Sequence, residues 1–390
     1  MWYQGIVCVV LYGTSWTLIV AAPPDASEKP QTSLRPPERI DIERARRLLL
    51  KERRGEKLTE AEAEYLKEAQ AARRETAGRA QPQAKPPQAP GLVPRTSTGL
   101  KPLTEMTAED RYQGQDGGLY GGGLNVPPPQ HLRAAEAELS QIQPRDAAGQ
   151  PSPAGRVVLI SISMSNATQE FSRFKQLADA SPVKSPHLTI VDCAQGGQAM
   201  AEWARSDAPP WQEADRRIAA AGVAPEQVQV AWIKLANKLP RGELADHGRR
   251  LQRDTQTVLQ LAKARFPQLR VAYLSSRIYG GYATSPLNPE PYAYESGFVV
   301  RWLIQNQMQG AAALNYTASR GSVVAPLLLW GPYLWADGTT PRRADQLVYT
   351  RQDLASDGTH PSQSGRDKVA RLLLSYFQTD ALARSWFCRP

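Results

Sequence analysis

The sequence predicts an α/β fold: a three-layer sandwich with a five-stranded parallel sheet, occupying residues 156–386. Three observations lead there. Short apolar runs of strand length recur five times after Val157, and stretches with helical spacing lie between them. The chain is 41% hydrophobic overall, yet 17 of its 32 prolines crowd the first 155 residues and the dense apolar runs begin only at Val157. One sizeable domain therefore follows a front portion that is poor at burying surface.

Val157–Ile162 is apolar and β-branched, the first strand. Residues 167–180 place Phe171, Phe174, Leu177 and Ala178 at helical spacing. His187–Val191 is the second strand; residues 199–221 read as a helix broken at Pro209-Pro210. Val228–Ile233 is the third strand, followed by a helix over His247–Phe266 with Leu251, Val258, Leu259 and Ala262 on one face. Arg270–Leu274 is the fourth strand, and Tyr294–Met308 is a helix carrying Phe298, Trp302, Leu303 and Ile304. Val323–Trp330 contains the fifth strand, and Ser364–Phe377 is the last helix, with Val369, Leu372, Leu373 and Tyr376 facing inward. Strands alternating with helices in this way build a parallel sheet covered on both faces. Ligands then gather at the carboxyl ends of the strands.

The residues at those ends carry the chemistry. Ser163-Met164-Ser165-Asn166 follows the first strand, where a tight turn exposes a serine hydroxyl. Ser161 falls inside the strand, and Ser163 is one step short of the turn, so both compete less well with Ser165. Asp192 to Gly196-Gly197 follows the second strand and Lys234 to Asn237 the third; glycine lets a backbone N–H approach a ligand, and asparagine supplies an amide donor. Asp357-Gly-Thr-His360-Pro361 stands just ahead of the last helix, with an aspartate spaced to hold the Nδ1 side of His360. Each feature alone is an ordinary turn residue; their order along the chain is the informative part.

In that order the chain resembles the SGNH (GDSL-like) hydrolase superfamily over about Val157–Phe377, most closely at Asp357–Ser362. The first block, Ser163–Asn166, is similar to the Gly-Gln-Ser-Asn variant of the carbohydrate acetylesterase branch, with Ser163 in place of glycine; Ala236-Asn237-Lys238 stands where Gly-x-Asn-Asp is common. The resemblance implies a flavodoxin-like sheet and ester hydrolysis, with Ser165 as nucleophile, His360 as base and Asp357 orienting it. It implies an oxyanion hole of the Ser165 N–H, the Gly197 N–H (Gly196 as runner-up) and the Asn237 side chain. No cofactor or metal is implied. Aromatic-rich loops around Arg277, Tyr279, Tyr294, Glu295, Trp330 and Trp335 suggest a surface on which a sugar ring could stack, or ordinary packing under long loops. The expected substrate is an acyl ester, an acetyl ester on a glycan. The alternative is a silent module of the same fold that binds a polysaccharide or cell-wall partner.

The front portion has its own organisation. Trp2–Ala22 contains no charged side chain, which suits a signal peptide or a membrane anchor and hence an exported, periplasmic or extracellular, protein; Cys8 lies too early for a lipidation site. Residues 23–104 read as Pro- and Ala-rich linker with short amphipathic helices at 40–74, and residues 105–155 as a Gly/Tyr-rich arm laid over the domain. The chain has a net charge of +9, but much of its Arg and Lys sits in this front portion interleaved with Glu, which reads as a solvated helix face and not a nucleic-acid stripe. Cys193 and Cys388 either pair or stay as separate thiols. Four histidines and no Cys-x-x-Cys leave no metal cluster in view, and nothing sets an oligomeric state.

Overall fold

A computed structural model describes residues 57–79 and 92–389 and, ahead of them, Asp41, Arg44, Ala45, Leu48 and Lys51. The expectations for Trp2–Ala22 and for most of the linkers lie outside the described residues. Among the described residues no helix is long and apolar enough to cross a membrane. The chain divides into two units, residues 1–87 and 88–390.

In the first unit, α1 spans Glu60–Arg79. Thr59 and Glu62 form a reciprocal cap: the Glu62 N–H donates to Thr59 Oγ1 at 3.3 Å and the Thr59 N–H to Glu62 Oε2 at 2.9 Å. The Arg44 guanidinium lies 4.3 Å from the centre of the Tyr65 ring, and Lys51 Nζ is 3.0 Å from Glu62 Oε2.

The second unit opens with α2 (Pro129–Leu139), then β1 (Val157–Ile162), α3 (Ser165–Asp179), β2 (Leu188–Val191), α4 (Pro209–Ala220), β3 (Val228–Lys234), α5 (Arg249–Arg265), β4 (Val271–Ser275), α6 (Tyr292–Met308), β5 (Leu327–Trp330) and α7 (Gln363–Thr379). All strands pair in parallel, in the order β2-β1-β3-β4-β5. This is the five-stranded architecture expected from the sequence. Every residue of β1, β3, β4 and β5 is buried, which explains their largely apolar sequences. Phe171 of α3 stacks on Trp232 of β3, ring centroids 5.4 Å apart, and fixes that helix to the sheet. Because β1 has β2 on one side and β3 on the other, the connections leaving β1 and β2 diverge. The switch point of the sheet, where such folds place ligands, is therefore the carboxyl end of β1.

Residues 92–126 run along the outer side of α6. Leu103, Met106 and Tyr120 are buried, the Tyr112 ring stacks on Phe298 at 5.6 Å, and the Arg301 guanidinium donates to the Asp116 carbonyl at 2.8 Å. The segment needs glycine for close approach: a Cβ on Gly117 would lie 2.0 Å from the Met106 carbonyl oxygen. α2 was not anticipated. Both Cys193, which is buried, and Cys388 are free thiols.

Candidate active site

The turn after β1 places Ser165 as the first residue of α3, behind Met164 in extended conformation. The Ser165 N–H therefore belongs to the first helical turn, whose amides have no partner within the helix. The loop ahead of α7 carries Asp357 and His360. Asp357 Oδ1 accepts the backbone N–H of Thr359 and of His360, each at 3.0 Å, and Asp357 Oδ2 lies 2.5 Å from His360 Nδ1. A carboxylate can only accept, so Nδ1 carries the proton and Nε2 is left as an acceptor. Ser165 Oγ is 2.7 Å from that Nε2. Burial alone would raise the Asp357 carboxyl; the hydrogen bonds from His360 and Thr359 outweigh it and hold the group below its ordinary range.

Two further contacts fix the loop. Asn166 Nδ2 donates to the Thr359 carbonyl at 2.8 Å, and the Thr284 N–H donates to the Asp357 carbonyl at 3.0 Å. Gly358 adopts φ +64° with the Tyr282 carbonyl oxygen 1.7 Å from where a Cβ would stand, so this position admits only glycine.

The competing serines are engaged elsewhere. The Ser161 hydroxyl donates to Asp192 Oδ1 at 2.6 Å, and the buried Ser163 hydroxyl donates to the Lys234 carbonyl. The serine that replaces glycine in the first block thus turns inward onto β3.

The loops after β2 and β3 are laced to this turn. The Ser163 carbonyl accepts the Gln195 N–H at 2.9 Å and Trp203 Nε1 at 3.2 Å; the Ala236 carbonyl accepts the Met200 N–H at 3.0 Å. Met164, Ala199 and Ala236, one from each loop, form a small apolar cluster. Gly197 is exposed, its carbonyl held by Lys238 Nζ at 2.9 Å, and its N–H donates to no described backbone acceptor. The Asn237 amide is partly engaged: Oδ1 accepts the Ala201 N–H at 2.9 Å and Nδ2 donates to Asp254 Oδ2 at 2.5 Å, leaving one amide hydrogen.

The expected sugar-stacking surface is corrected by burial. Tyr279, Tyr294, Trp330 and Trp335 are buried and bonded within the protein, to the carbonyls of Arg95, Lys101 and Leu119 and to Glu290 Oε1 respectively. Glu295, also buried, accepts the Tyr112 hydroxyl at 2.6 Å and pairs with His247. Arg277 is buried with Nε on Asn288 Oδ1 at 3.1 Å. These six residues anchor the 92–126 segment and the loop beneath Asp357; none offers a free ring or charge to a ligand.

Sequence reasoning missed Glu170 and Lys234. Both side chains are fully buried, and Lys234 Nζ lies 2.7 and 2.5 Å from the two Glu170 oxygens. A lysine closing the mostly apolar strand β3 was the available signal. Among the described residues no group of His, Cys, Asp and Glu is arranged to hold a metal ion.

No family model matches the chain, and no curated protein matches it. Several solved structures are similar in outline. One, from Bacteroides fragilis and described as a candidate acylhydrolase, is 12% identical over 67% of this chain and 100% of that one, at a TM-score of 0.33. An acetyl esterase mutant with acetate ion is 12% identical over 56% of this chain and 94% of its own, at 0.32. A GDSL-like lipase from Bacteroides thetaiotaomicron is 12% identical over 62% and 94%, at 0.26. At such identities, and with TM-scores below 0.5, these likenesses assign neither activity nor substrate. Its own strand order, β2-β1-β3-β4-β5, all parallel and with Ser165, Asp357 and His360 brought together beyond the strands, is the flavodoxin-like three-layer arrangement that the sequence predicts.

Proposed function

We propose that this protein is a serine esterase that cleaves an acyl ester through Ser165, His360 and Asp357, with an acetyl ester on a carbohydrate as the substrate class. One observation carries the reading: a continuous relay in which Ser165 Oγ is 2.7 Å from His360 Nε2 and His360 Nδ1 is 2.5 Å from Asp357 Oδ2. His360 takes the Ser165 proton as Oγ attacks the ester carbonyl, and Asp357 stabilises the imidazolium that forms. His360 then returns the proton to the leaving alcohol, and water, activated by the same imidazole, cleaves the acyl-enzyme. The developing oxyanion is met by the N–H groups of Ser165 and Gly197 and by the remaining Asn237 amide hydrogen. Loss of one such donor costs about 10²–10³ in kcat.

The glycan part of the proposal rests on the resemblance of the first block and on a polar cavity of about 300 Å³ lined by Gln169, Ser172, Arg173, Gln363 and Arg366. It lies along α3 and α7, one turn from Ser165 and three residues from His360, and suits a hydroxyl-rich alcohol better than an acyl chain. Export through Trp2–Ala22 belongs to the same proposal, and cell fractionation tests it.

The second reading, a silent module that binds a polysaccharide, draws on Asn237, whose amide already serves Ala201 and Asp254. Hydrolysis of p-nitrophenyl acetate and of an acetylated oligosaccharide separates the two. The esterase reading expects turnover by the wild type and background rates for Ser165→Ala. An inactive wild type that still binds the oligosaccharide selects the silent module.

A further inference from the structure

Lys234, the last residue of β3, ties down both sides of the turn that carries Ser165. Its carbonyl accepts the Ser163 hydroxyl, two residues before Ser165, and its Nζ holds the Glu170 carboxylate, five residues after it. Glu170 lies one helical turn beyond Asn166 on the same face of α3. Asn166 in turn binds the Thr359 carbonyl, the residue next to His360. The main chain of Lys234 therefore holds the turn before the proposed nucleophile, and its side-chain pair with Glu170 ties β3 to the helix that Ser165 opens, on the face that carries Asn166.

Stability does not account for the pair. Both side chains are wholly withdrawn from water. Desolvating two charges is expensive, and apolar residues of similar volume in such places are commonly neutral or stabilising. Glu170 also has Arg277, Tyr349 and His360 near it, and among the described residues Arg277 Nη2 and Tyr349 Oη are buried without a partner. A polar interior of this kind, set directly behind the reaction centre, trades packing for fixed geometry.

We propose that Lys234 and Glu170 are positioning residues for the esterase reaction: bonded to each other, they hold the Ser163–Asn166 turn so that Ser165 Oγ stays within reach of His360 Nε2. The inference rests on the function proposed above. A misplacement of about 1 Å at a reacting atom can cost about 10²-fold in rate.

The test is the paired variant Glu170→Leu with Lys234→Met, which removes both charges at similar volume. It should fold with an unchanged or raised melting temperature, hydrolyse p-nitrophenyl acetate with kcat at least tenfold down, and keep KM within about twofold of wild type. Glu170→Gln, which keeps one acceptor for Lys234, should lie between wild type and the pair. If that single variant does not fold because a cation is left unbalanced, the uncharged pair still decides. A paired variant with wild-type kcat overturns the inference, and so does one whose kcat falls only with its folded fraction. Ser165→Ala runs alongside: a dead Ser165→Ala beside a fully active paired variant sinks this inference alone, whereas an active Ser165→Ala sinks the reading beneath it.

Discussion

Asp357 holds His360 twice, taking the ring Nδ1–H on Oδ2 at 2.5 Å and the residue's own backbone N–H on Oδ1 at 3.0 Å. One carboxylate thereby sets both the tautomer of the imidazole and the turn that presents it. The relationship is local, three residues apart, and was legible as Asp-x-x-His.

It makes Asp357→Asn informative. The amide keeps Oδ1 for the backbone but offers an N–H toward Nδ1, which moves the ring proton to Nε2 and removes the acceptor for Ser165. Steady-state kinetics should show kcat down on the order of 10³–10⁴-fold with KM little changed. A loss below tenfold would mean that Asp357 does not orient the base.

Glu290 gives a pH prediction. Its buried carboxyl accepts the Gly280 N–H and Trp335 Nε1 at 2.8 Å and the Tyr294 N–H at 2.9 Å, yet burial outweighs them and pushes it up to about 7. A folded value above the unfolded 4.5 means that the stabilising contribution is complete below pH 4.5 and is lost as pH rises through 7. Denaturant unfolding of wild type and Glu290→Gln across pH 4.5–8 should show the wild-type advantage shrinking as pH rises, by on the order of 3 kcal/mol in full. A difference that stays flat with pH would show Glu290 ionised throughout.

Tyr112→Phe tests the 92–126 segment. The hydroxyl it removes lies 2.6 Å from the buried Glu295 carboxylate. Loss of that bond should lower stability by about 1–2 kcal/mol, a few degrees in Tm, with kcat for a small ester unchanged because the direct partners of Tyr112 on α6 are Glu295, Tyr294 and Phe298, none of them a member of the relay. A large loss of activity at wild-type Tm would give the segment a part in the reaction.

Differences in legibility follow the range of the contacts. β1, β3 and β4 were readable because burial on both faces demands mostly apolar runs. The meeting of Ser165 with the Asp357/His360 pair was readable because a parallel sheet brings its strand ends to one edge. The aromatic loops were misjudged because what covers Tyr294 and Trp330, the segment carrying Lys101 and Leu119, lies about two hundred residues away in sequence. α2 went unseen because Pro127–Pro129 and a run of alanine and glutamate give little apolar periodicity. The Glu170–Lys234 pair was hidden for the opposite reason: charged residues read as surface until the packing is known.

Covalent capture tests the central claim most directly. A fluorophosphonate probe, which phosphonylates an activated serine, followed by peptide mass spectrometry on the whole protein, should place one adduct on Ser165, with labelling lost in His360→Ala. An adduct on another residue, or an unlabelled Ser165 in protein that hydrolyses acetyl esters, would contradict the account.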